Sequence, residues 1–189
     1  MAVVDHLGMD EVILVGHSMG GPVALEAACR MPSRVSGFVG VDTFPDKWVN
    51  FQDQERERFL DPFRTDFAQA TRTWVSQQLF LPSSEPRLVE QIAADMSAAP
   101  PQVGIAAMEA IYEWGKKSCV ETLRQLRAPV FMIQAKRNEN NLQVMSGFVS
   151  SFQSFQVFSV PEVGHFPMLE DVETFNRFLG QIIESLAKQ

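Results

Sequence analysis

The sequence predicts an α/β fold in which a mostly parallel sheet is flanked by helices. Short apolar runs alternate along the chain with segments of helical periodicity, and the runs are apolar enough for strands buried on both faces. The chain has 189 residues, 46% of them hydrophobic, which suffices for one domain carrying a small insertion. The four predicted strands are residues 11–15, 35–41, 129–133 and 155–160.

Helices are predicted at both ends of the chain and after the first strand. Residues 3–7 form a helix that Gly8 ends, since glycine is favoured just past a helix. Pro22 suits the first turn of a helix, and residues 23–31 after it are rich in alanine and leucine. From Asp171 onward helical spacing predicts a terminal amphipathic helix, with an apolar face made of Val172, Phe175, Phe178, Leu179, Ile182, Ile183 and Leu186.

Residues 46–126 differ from the rest of the chain because no strand pattern occurs within them. The segment has helical periodicity, is rich in aromatic and charged residues, and is interrupted by prolines. A crossover between parallel strands needs only one helix, so this length predicts a helical cap over the strand ends. The predicted division is a core of residues 1–45 and 127–189 and a cap of residues 46–126.

Composition excludes several classes of protein. Sixteen Lys and Arg residues against 23 Asp and Glu give a net charge of −7, which disfavours a nucleic-acid binder that neutralises phosphates. The two cysteines lack metal-ligand spacing and cannot form a disulfide framework, which fits a reducing compartment. We find no membrane-spanning run, secretory signal, metal motif or phosphate loop, so we predict a cytoplasmic protein without a cofactor.

The chemistry is concentrated in the motif Gly16-His17-Ser18-Met19-Gly20, which lies between a predicted buried strand and a predicted helix. A serine at such a tight turn has a strained backbone, and glycines two positions to either side remove Cβ atoms that would collide. The turn also places Ser18 at a helix N-terminus, where the backbone amide of Met19 can stabilise an oxyanion. Ser18 is therefore the predicted nucleophile.

A serine hydroxyl needs a base within hydrogen-bond reach, and the chain offers three histidines. His6 lies on the first helix and is predicted to be solvated. The side chain of His17 is predicted to point away from the serine at the apex and to contribute packing or a hydrogen bond. His165 follows the last strand on a loop just before the terminal helix. As the third member of the order Ser…acid…His, His165 is the predicted base.

These residues resemble the α/β-hydrolase superfamily, in particular its single-domain esterase-like members with a helical cap. The resemblance rests on GHSMGG at residues 16–21, on VGHFPMLE at 163–170 and on APVFMI at 128–133, which looks like the seventh strand of that family. It implies an α/β-hydrolase fold with a cap insertion, Ser18 as nucleophile, the Met19 amide as one oxyanion donor and His165 as base.

The acid that would orient the histidine departs from the family pattern. The family usually supplies an Asp just past the seventh strand, where this chain has Asn138 with Glu139 beside it. Some relatives place the acid after the sixth strand instead, and Asp42 occupies that position here. Asp42 is our first choice, Glu139 and the absence of an acid partner remain open, and Asp46 is a distant fourth. As a structural residue, Asp42 would cap the turn into the cap segment.

The N-terminal part of the chain is short relative to the family, because only one strand precedes Ser18. The family has several strands there, and a loop after one of them carries the second oxyanion amide. A four-stranded sheet would leave residues 12–15 as an apolar edge. We therefore expect either a fragment of a longer hydrolase, which we favour, or an edge covered by a partner chain, as in a homo-oligomer.

The function that this pattern predicts is a serine hydrolase that acts on a carboxylic ester or a similar small acyl substrate. The partner is thus a small molecule, and no nucleic acid is expected. The alternative is a truncated or non-catalytic chain that keeps the fold in order to bind a ligand or a partner.

Overall fold

The computed structural model describes residues 1–44, 50, 52–136, 145, 147, 150 and 152–188. Within these residues the sheet has four strands, β1 (Val12–His17), β2 (Val35–Val41), β3 (Val130–Ala135) and β4 (Phe155–Val160). They are all parallel and lie in the order β1-β2-β3-β4. The predicted α/β class and all four strand positions are confirmed, although β1 and β3 each extend two residues beyond the predicted ends.

Helices flank the sheet and fill the segment between β2 and β3. Helix α1 (Ala2–His6) precedes β1, and α2 (Gly20–Arg30) follows it. After β4 come two helices, α8 (Pro167–Glu170) and α9 (Val172–Leu186). The described residues between β2 and β3 contain no strand, and we call residues 53–125 the helical segment. Its elements are α3 (Asp53–Thr65), α4 (Phe67–Trp74), a π-helical turn (Val75–Leu79), α5 (Pro86–Ser97), α6 (Pro101–Lys117) and α7 (Cys119–Gln125).

Several helix ends are set by residue types that the sequence already showed. Gly8 has a φ of +62° just after α1, the left-handed conformation that ends a helix at low cost in glycine. Pro86 and Pro101 each begin a helix. Asp171 caps α9, because its side chain accepts a hydrogen bond from the backbone N–H of Thr174 at 3.0 Å.

The sheet is buried on both faces, so neighbouring residues of a strand belong to different cores. On one face, Phe38 and Met132 pack with Leu25 of α2 and with Leu123 of α7. On the other face, Val39, Val41, Phe131 and Ile133 pack against Phe175, Ile182 and Leu186 of α9. Two residues of the predicted apolar face of α9 are exposed instead, Val172 and Ile183, because they lie at the margin of the helix stripe that meets the sheet.

The strand β1 forms one edge of the described sheet, as predicted from the position of Ser18. Val15 on this edge is 48% exposed. Whether a further strand or a second copy covers the edge stays a prediction. Among the described helices, none combines the length and the apolar character that crossing a membrane requires.

Parallel strands bring the predicted site residues to one edge of the sheet. β1, β2 and β4 end at His17, Val41 and Val160, so Ser18, Asp42 and the loop that carries His165 all follow carboxyl ends. In open α/β sheets this is the edge at which ligands bind. The topology therefore places the nucleophile and base candidates, and one of the acid candidates, on the same side of the molecule.

Candidate active site

Ser18 occupies a strained turn between β1 and α2. Its φ is +49°, a left-handed conformation that non-glycine residues seldom adopt. Three hydrogen bonds maintain the turn: Ser18 N–H donates to the Val41 carbonyl at 3.0 Å, and the Ser18 carbonyl accepts from Gly21 N–H at 3.0 Å and from the Thr43 hydroxyl at 2.6 Å. The turn is thus held both by its own helix and by the chain that leaves β2.

The glycines around Ser18 have unequal roles. A Cβ atom at Gly16 would lie 2.4 Å from the Gly20 carbonyl oxygen, so only glycine fits there. A Cβ at Gly20 would meet nothing within 4 Å, and the predicted steric reason for that glycine is wrong. The close approach falls one residue later, because a Cβ at Gly21 would lie 2.2 Å from Thr43 Oγ1.

The structure pairs His165 with Asp42. Nδ1 of His165 lies 2.6 Å from Oδ2 of Asp42, whose side chain is 1% exposed. The other carboxylate oxygen, Oδ1, accepts a hydrogen bond from Ala135 N–H at 3.0 Å. A carboxylate in its ionised form can only accept, so the His165 tautomer that suits this contact is the one with its proton on Nδ1 and a lone pair on Nε2.

Of the acid candidates, Asp42 is the one that contacts the histidine among the described residues. The conformation after β2 helps, since Asp42 has a φ of +39° and its N–H donates to the Ile133 carbonyl at 2.9 Å. Gln134, 1% exposed, accepts from Thr43 N–H at 3.2 Å and fixes the same turn from β3. The remaining candidates Glu139 and Asp46, together with Asn138, lie outside the described residues.

His17 supports the base loop, as the hydrogen-bond alternative for this residue predicted. Its Nε2 lies 2.8 Å from the His165 carbonyl oxygen, to which it donates, and the two imidazole rings are 4.7 Å apart. Burial, together with the neighbouring His165, lowers the pKa of His17 to about 4. His17 is therefore neutral near pH 7.

The helical segment holds the base loop from the opposite side. His165 N–H donates to the Leu79 carbonyl at 2.6 Å, and Gly164 permits this approach because a Cβ there would lie 2.4 Å from the same oxygen. Glu170 accepts from Phe166 N–H at 3.2 Å through one oxygen and from the Ser84 hydroxyl at 2.6 Å through the other. This carboxylate therefore joins the base loop to the chain between the π-helical turn and α5.

A cavity of about 610 Å³ lies between the strand ends and the helical segment. Ser18, Met19, Asp42 and His165 line it on the sheet side. No hydrogen bond joins the Ser18 hydroxyl to His165 or to any other residue that the structure describes, a common situation in sites without substrate. The helical segment contributes a largely apolar wall, made of Phe59, Phe67, Thr71, Trp74, Gln78, Leu79, Met96, Ala99, Gly104, Ala107, Met108, Ile111 and Tyr112.

Asp42 is the one acidic side chain among the described residues that line the cavity. Burial raises the pKa of Tyr112 to about 12, which keeps the phenol protonated. No Lys or Arg occurs among the described residues that line the cavity. Nor do the described residues contain a group of three His, Cys, Asp or Glu that could hold a metal ion.

Sequence reasoning missed the residues that act through others. Thr43 and Gln134 hold the turn after β2, and Glu170 holds the base loop. The one available signal was position: Thr43 is adjacent to Asp42, and Glu170 ends the motif at residues 163–170 on which the resemblance rests. Their partners are far away in sequence, which a motif does not reveal.

Comparison with known proteins agrees with the fold. A family profile described as the alpha/beta hydrolase fold matches residues 2–172. The putative 2-succinyl-6-hydroxy-2,4-cyclohexadiene-1-carboxylate synthase of Bacillus subtilis is 25% identical, covering 97% of this chain and 70% of that protein. The pimeloyl-[acyl-carrier protein] methyl ester esterase of Methylococcus capsulatus is 24% identical, covering 90% of this chain and 70% of that protein.

Solved structures share the architecture at lower sequence identity. A thermophilic esterase from Thermogutta terrifontis matches with a TM-score of 0.79 and 22% identity, covering 97% of this chain and 69% of that one. An esterase from Exiguobacterium antarcticum gives a TM-score of 0.80 at 16% identity, covering 96% and 70%. With the profile spanning nearly its whole length, this chain belongs to the alpha/beta hydrolase fold family.

Proposed function

We propose that the chain is a serine hydrolase of carboxylic esters, with Ser18 as nucleophile, His165 as base and Asp42 as the acid. The observation that carries the proposal is the 2.6 Å contact between His165 Nδ1 and Asp42 Oδ2, in the cavity that Ser18 also lines. A buried carboxylate in contact with an imidazole near a serine at a strained turn is the arrangement that activates a hydroxyl. The esterases among its relatives support this substrate class.

In the proposed mechanism, Nε2 of His165 takes the proton of the Ser18 hydroxyl while Oγ attacks the ester carbonyl carbon. The carbonyl oxygen becomes an oxyanion, which the Met19 amide and the N-terminus of α2 stabilise. Asp42 stabilises the imidazolium and holds Nδ1–H in place. His165 then donates its proton to the leaving alkoxide, and the same residues activate a water that hydrolyses the acyl-enzyme.

We further propose that the helical segment acts as a cap over this site. Its aromatic and aliphatic side chains face the strand ends across the cavity, where they would exclude water and contact the acyl or alkyl part of the ester. A dry site strengthens the interaction of the imidazolium with Asp42. We also propose a cytoplasmic location and, as the less favoured alternative for the β1 edge, a second copy of the chain.

The experiment is labelling with a fluorophosphonate probe, which reacts covalently with an activated serine. We expect labelling of the wild-type chain, none of Ser18→Ala, and unchanged labelling of the matched control Ser76→Ala. Ser76 is exposed on the π-helical turn, where its hydroxyl donates to the Arg72 carbonyl at 2.8 Å. A folded wild-type chain that resists the probe, or a Ser18→Ala variant that still reacts, would contradict the proposal.

The second candidate is a ligand-binding chain without catalysis. The observation in its favour is that the Ser18 hydroxyl makes no hydrogen bond to His165 among the described residues. This candidate predicts that an ester binds in the cavity and is recovered intact. Incubating the chain with p-nitrophenyl butyrate and measuring p-nitrophenol release separates the two, because only the hydrolase generates product that depends on Ser18.

A further inference from the structure

Thr71 carries a buried hydroxyl that has no hydrogen-bond partner among the residues that the structure describes. The residue is 1% exposed and lies in the middle of α4, on the wall of the cavity opposite the strand ends. Buried hydroxyl groups in folded proteins nearly always have a partner, because an unpaired one loses its hydrogen bonds to water without replacement. The exception at Thr71 therefore calls for a partner that the described residues do not supply.

The usual partner of a threonine inside a helix is the carbonyl four residues earlier, which here belongs to Phe67. The exposed threonines of the helical segment behave differently from Thr71. Thr65 Oγ1 donates to the Asp61 carbonyl at 3.0 Å, and Thr73 Oγ1 accepts from the Gln69 side chain at 3.3 Å. The buried threonine on the cavity wall is thus the one whose hydroxyl stays unused.

The surroundings restrict what could pair with this hydroxyl. Phe67, Trp74 and Met108 make this wall largely apolar, so a polar ligand group that contacts it gives up hydrogen bonds to water. A carboxylate or phosphate would be left without a counter-charge, because no Lys or Arg occurs among the described lining residues. A neutral oxygen needs only one hydrogen bond in order to be satisfied, and a hydroxyl supplies it.

We propose that Thr71 is a specificity residue that binds a neutral oxygen, a keto or hydroxyl group, on the acyl chain of the ester substrate. The inference rests on the proposed function, since Ser18 and Thr71 lie on facing walls of one cavity. With the ester carbonyl at Ser18, the chain extends toward α4 and presents its second oxygen to Thr71. Plain alkyl chains fit the same space but leave the hydroxyl unpaired.

The test compares esters that differ only in that oxygen. The probes are p-nitrophenyl octanoate, its oxo derivatives with the keto group at successive positions from C4 to C7, and a carboxylate-terminated ester of equal length. The variants are Thr71→Val, which keeps the shape and removes the hydroxyl, and Thr71→Ser, which keeps the hydroxyl. Thr73→Val is the matched control, an exposed threonine of the same helix.

We expect one oxo ester to exceed octanoate in kcat/KM by about tenfold, the order of magnitude of one neutral hydrogen bond. Thr71→Val abolishes that preference, whereas Thr71→Ser and Thr73→Val retain it. Thr71→Val should also raise Tm by about 2–4 °C, because it removes a buried hydroxyl without a partner. A preference that survives Thr71→Val, no preference at any position, or a preference for the carboxylate ester overturns the inference.

A binding measurement separates this inference from the proposed function. Ser18→Ala cannot form an acyl-enzyme, so calorimetric titration with methyl 5-oxooctanoate, its 4-, 6- and 7-oxo isomers and methyl octanoate reports recognition alone. The inference is supported if one oxo ester binds more tightly than methyl octanoate and if adding Thr71→Val to Ser18→Ala eliminates that difference. This conclusion holds even if the wild-type chain hydrolyses no ester. Equal affinities for all five methyl esters contradict it even if the serine proves reactive.

Discussion

Acid should destabilise this protein through His17, and the pKa of this residue gives the expected change in the free energy of unfolding. Burial and the neighbouring His165 lower the pKa of His17 from 6.5 to about 4 in the folded chain. The unfolded chain therefore takes up a proton at a higher pH than the folded chain does. The contribution of neutral His17 to stability is complete above pH 6.5, decreases as the pH falls through the interval from 6.5 to 4, and is absent below it.

The size of the effect follows from the two pKa values of His17. They differ by about 2.5 units, and each unit corresponds to 1.36 kcal/mol, so the loss amounts to about 3 kcal/mol when it is complete. That is a large part of the 5–15 kcal/mol by which proteins of this size are usually stable. Protonation would also place a positive charge against the ring of His165, 4.7 Å away.

The assay is urea unfolding, followed by tryptophan fluorescence, at a series of pH values from 7.5 to 4. The glutamine in His17→Gln has a side-chain amide that can donate to the His165 carbonyl but cannot ionise. The difference in the free energy of unfolding between wild type and variant therefore isolates the titration of His17. We expect that difference to change by about 3 kcal/mol across the series, in the direction that penalises the wild type at low pH. His6→Gln, which removes an exposed histidine of α1, is the matched control.

A difference that stays constant from pH 7.5 to pH 4 would refute this reasoning. It would mean that His17 takes up its proton at the same pH in the folded and unfolded chains, and therefore that the ring is hydrated in solution. A change of the opposite sign would mean that folding stabilises the charged ring. The first outcome would also remove the argument that His17 is a neutral donor to the base loop.

Four further substitutions test the geometry of the site. Asp42→Asn should lower kcat for a p-nitrophenyl ester by about 10³–10⁴-fold, because an amide cannot stabilise the imidazolium; a loss below tenfold would point to another acid. Gly16→Ala should abolish fluorophosphonate labelling, because its Cβ would meet the Gly20 carbonyl at 2.4 Å, whereas Gly20→Ala should fold and raise the free energy of unfolding by about 0.5–1 kcal/mol. Equal damage by the two alanines would contradict this distinction. Glu170→Gln should lower kcat more than it changes KM, since one of its two hydrogen bonds to the base loop and to Ser84 is lost, and an unchanged kcat would show that this contact is dispensable.

The sequence predicts the sheet well because burial on both faces leaves a continuous apolar run in each strand. The strand ends are less predictable, since backbone pairing continues through residues whose side chains are not apolar. Gly16 and His17 extend β1 by pairing with β2, and Gln134 extends β3 by pairing with Ser159. These extensions matter, because they carry β1 directly to Ser18.

The site is predictable to the extent that it is local. Ser18 is fixed by a turn of a few residues, and His165 by elimination among three histidines. The acid is a different problem, because two strand ends offer carboxylates and the sequence does not say which one reaches the imidazole. Asp42 is 123 residues away from His165, and its contact depends on the lateral order of β2, β3 and β4. Thr71 is harder still, since what distinguishes it is a missing partner.

The way in which the base loop is held indicates how substrate reaches the cavity. His165 N–H binds the Leu79 carbonyl, and Glu170 binds Ser84, so moving the chain at residues 79–84 would displace the base. If each substrate entered by displacing residues 79–84, His165 would leave its position beside Asp42 each time. On the opposite side, Trp114 Nε1–H of α6 donates to Glu26 Oε1 of α2 at 2.8 Å, a hydrogen bond that does not involve the base loop. There Met19 and Ile111 line both the cavity and an adjoining groove between α2 and α6. We therefore expect substrate to enter between these two helices, while the chain at residues 79–84 keeps His165 in place throughout the reaction.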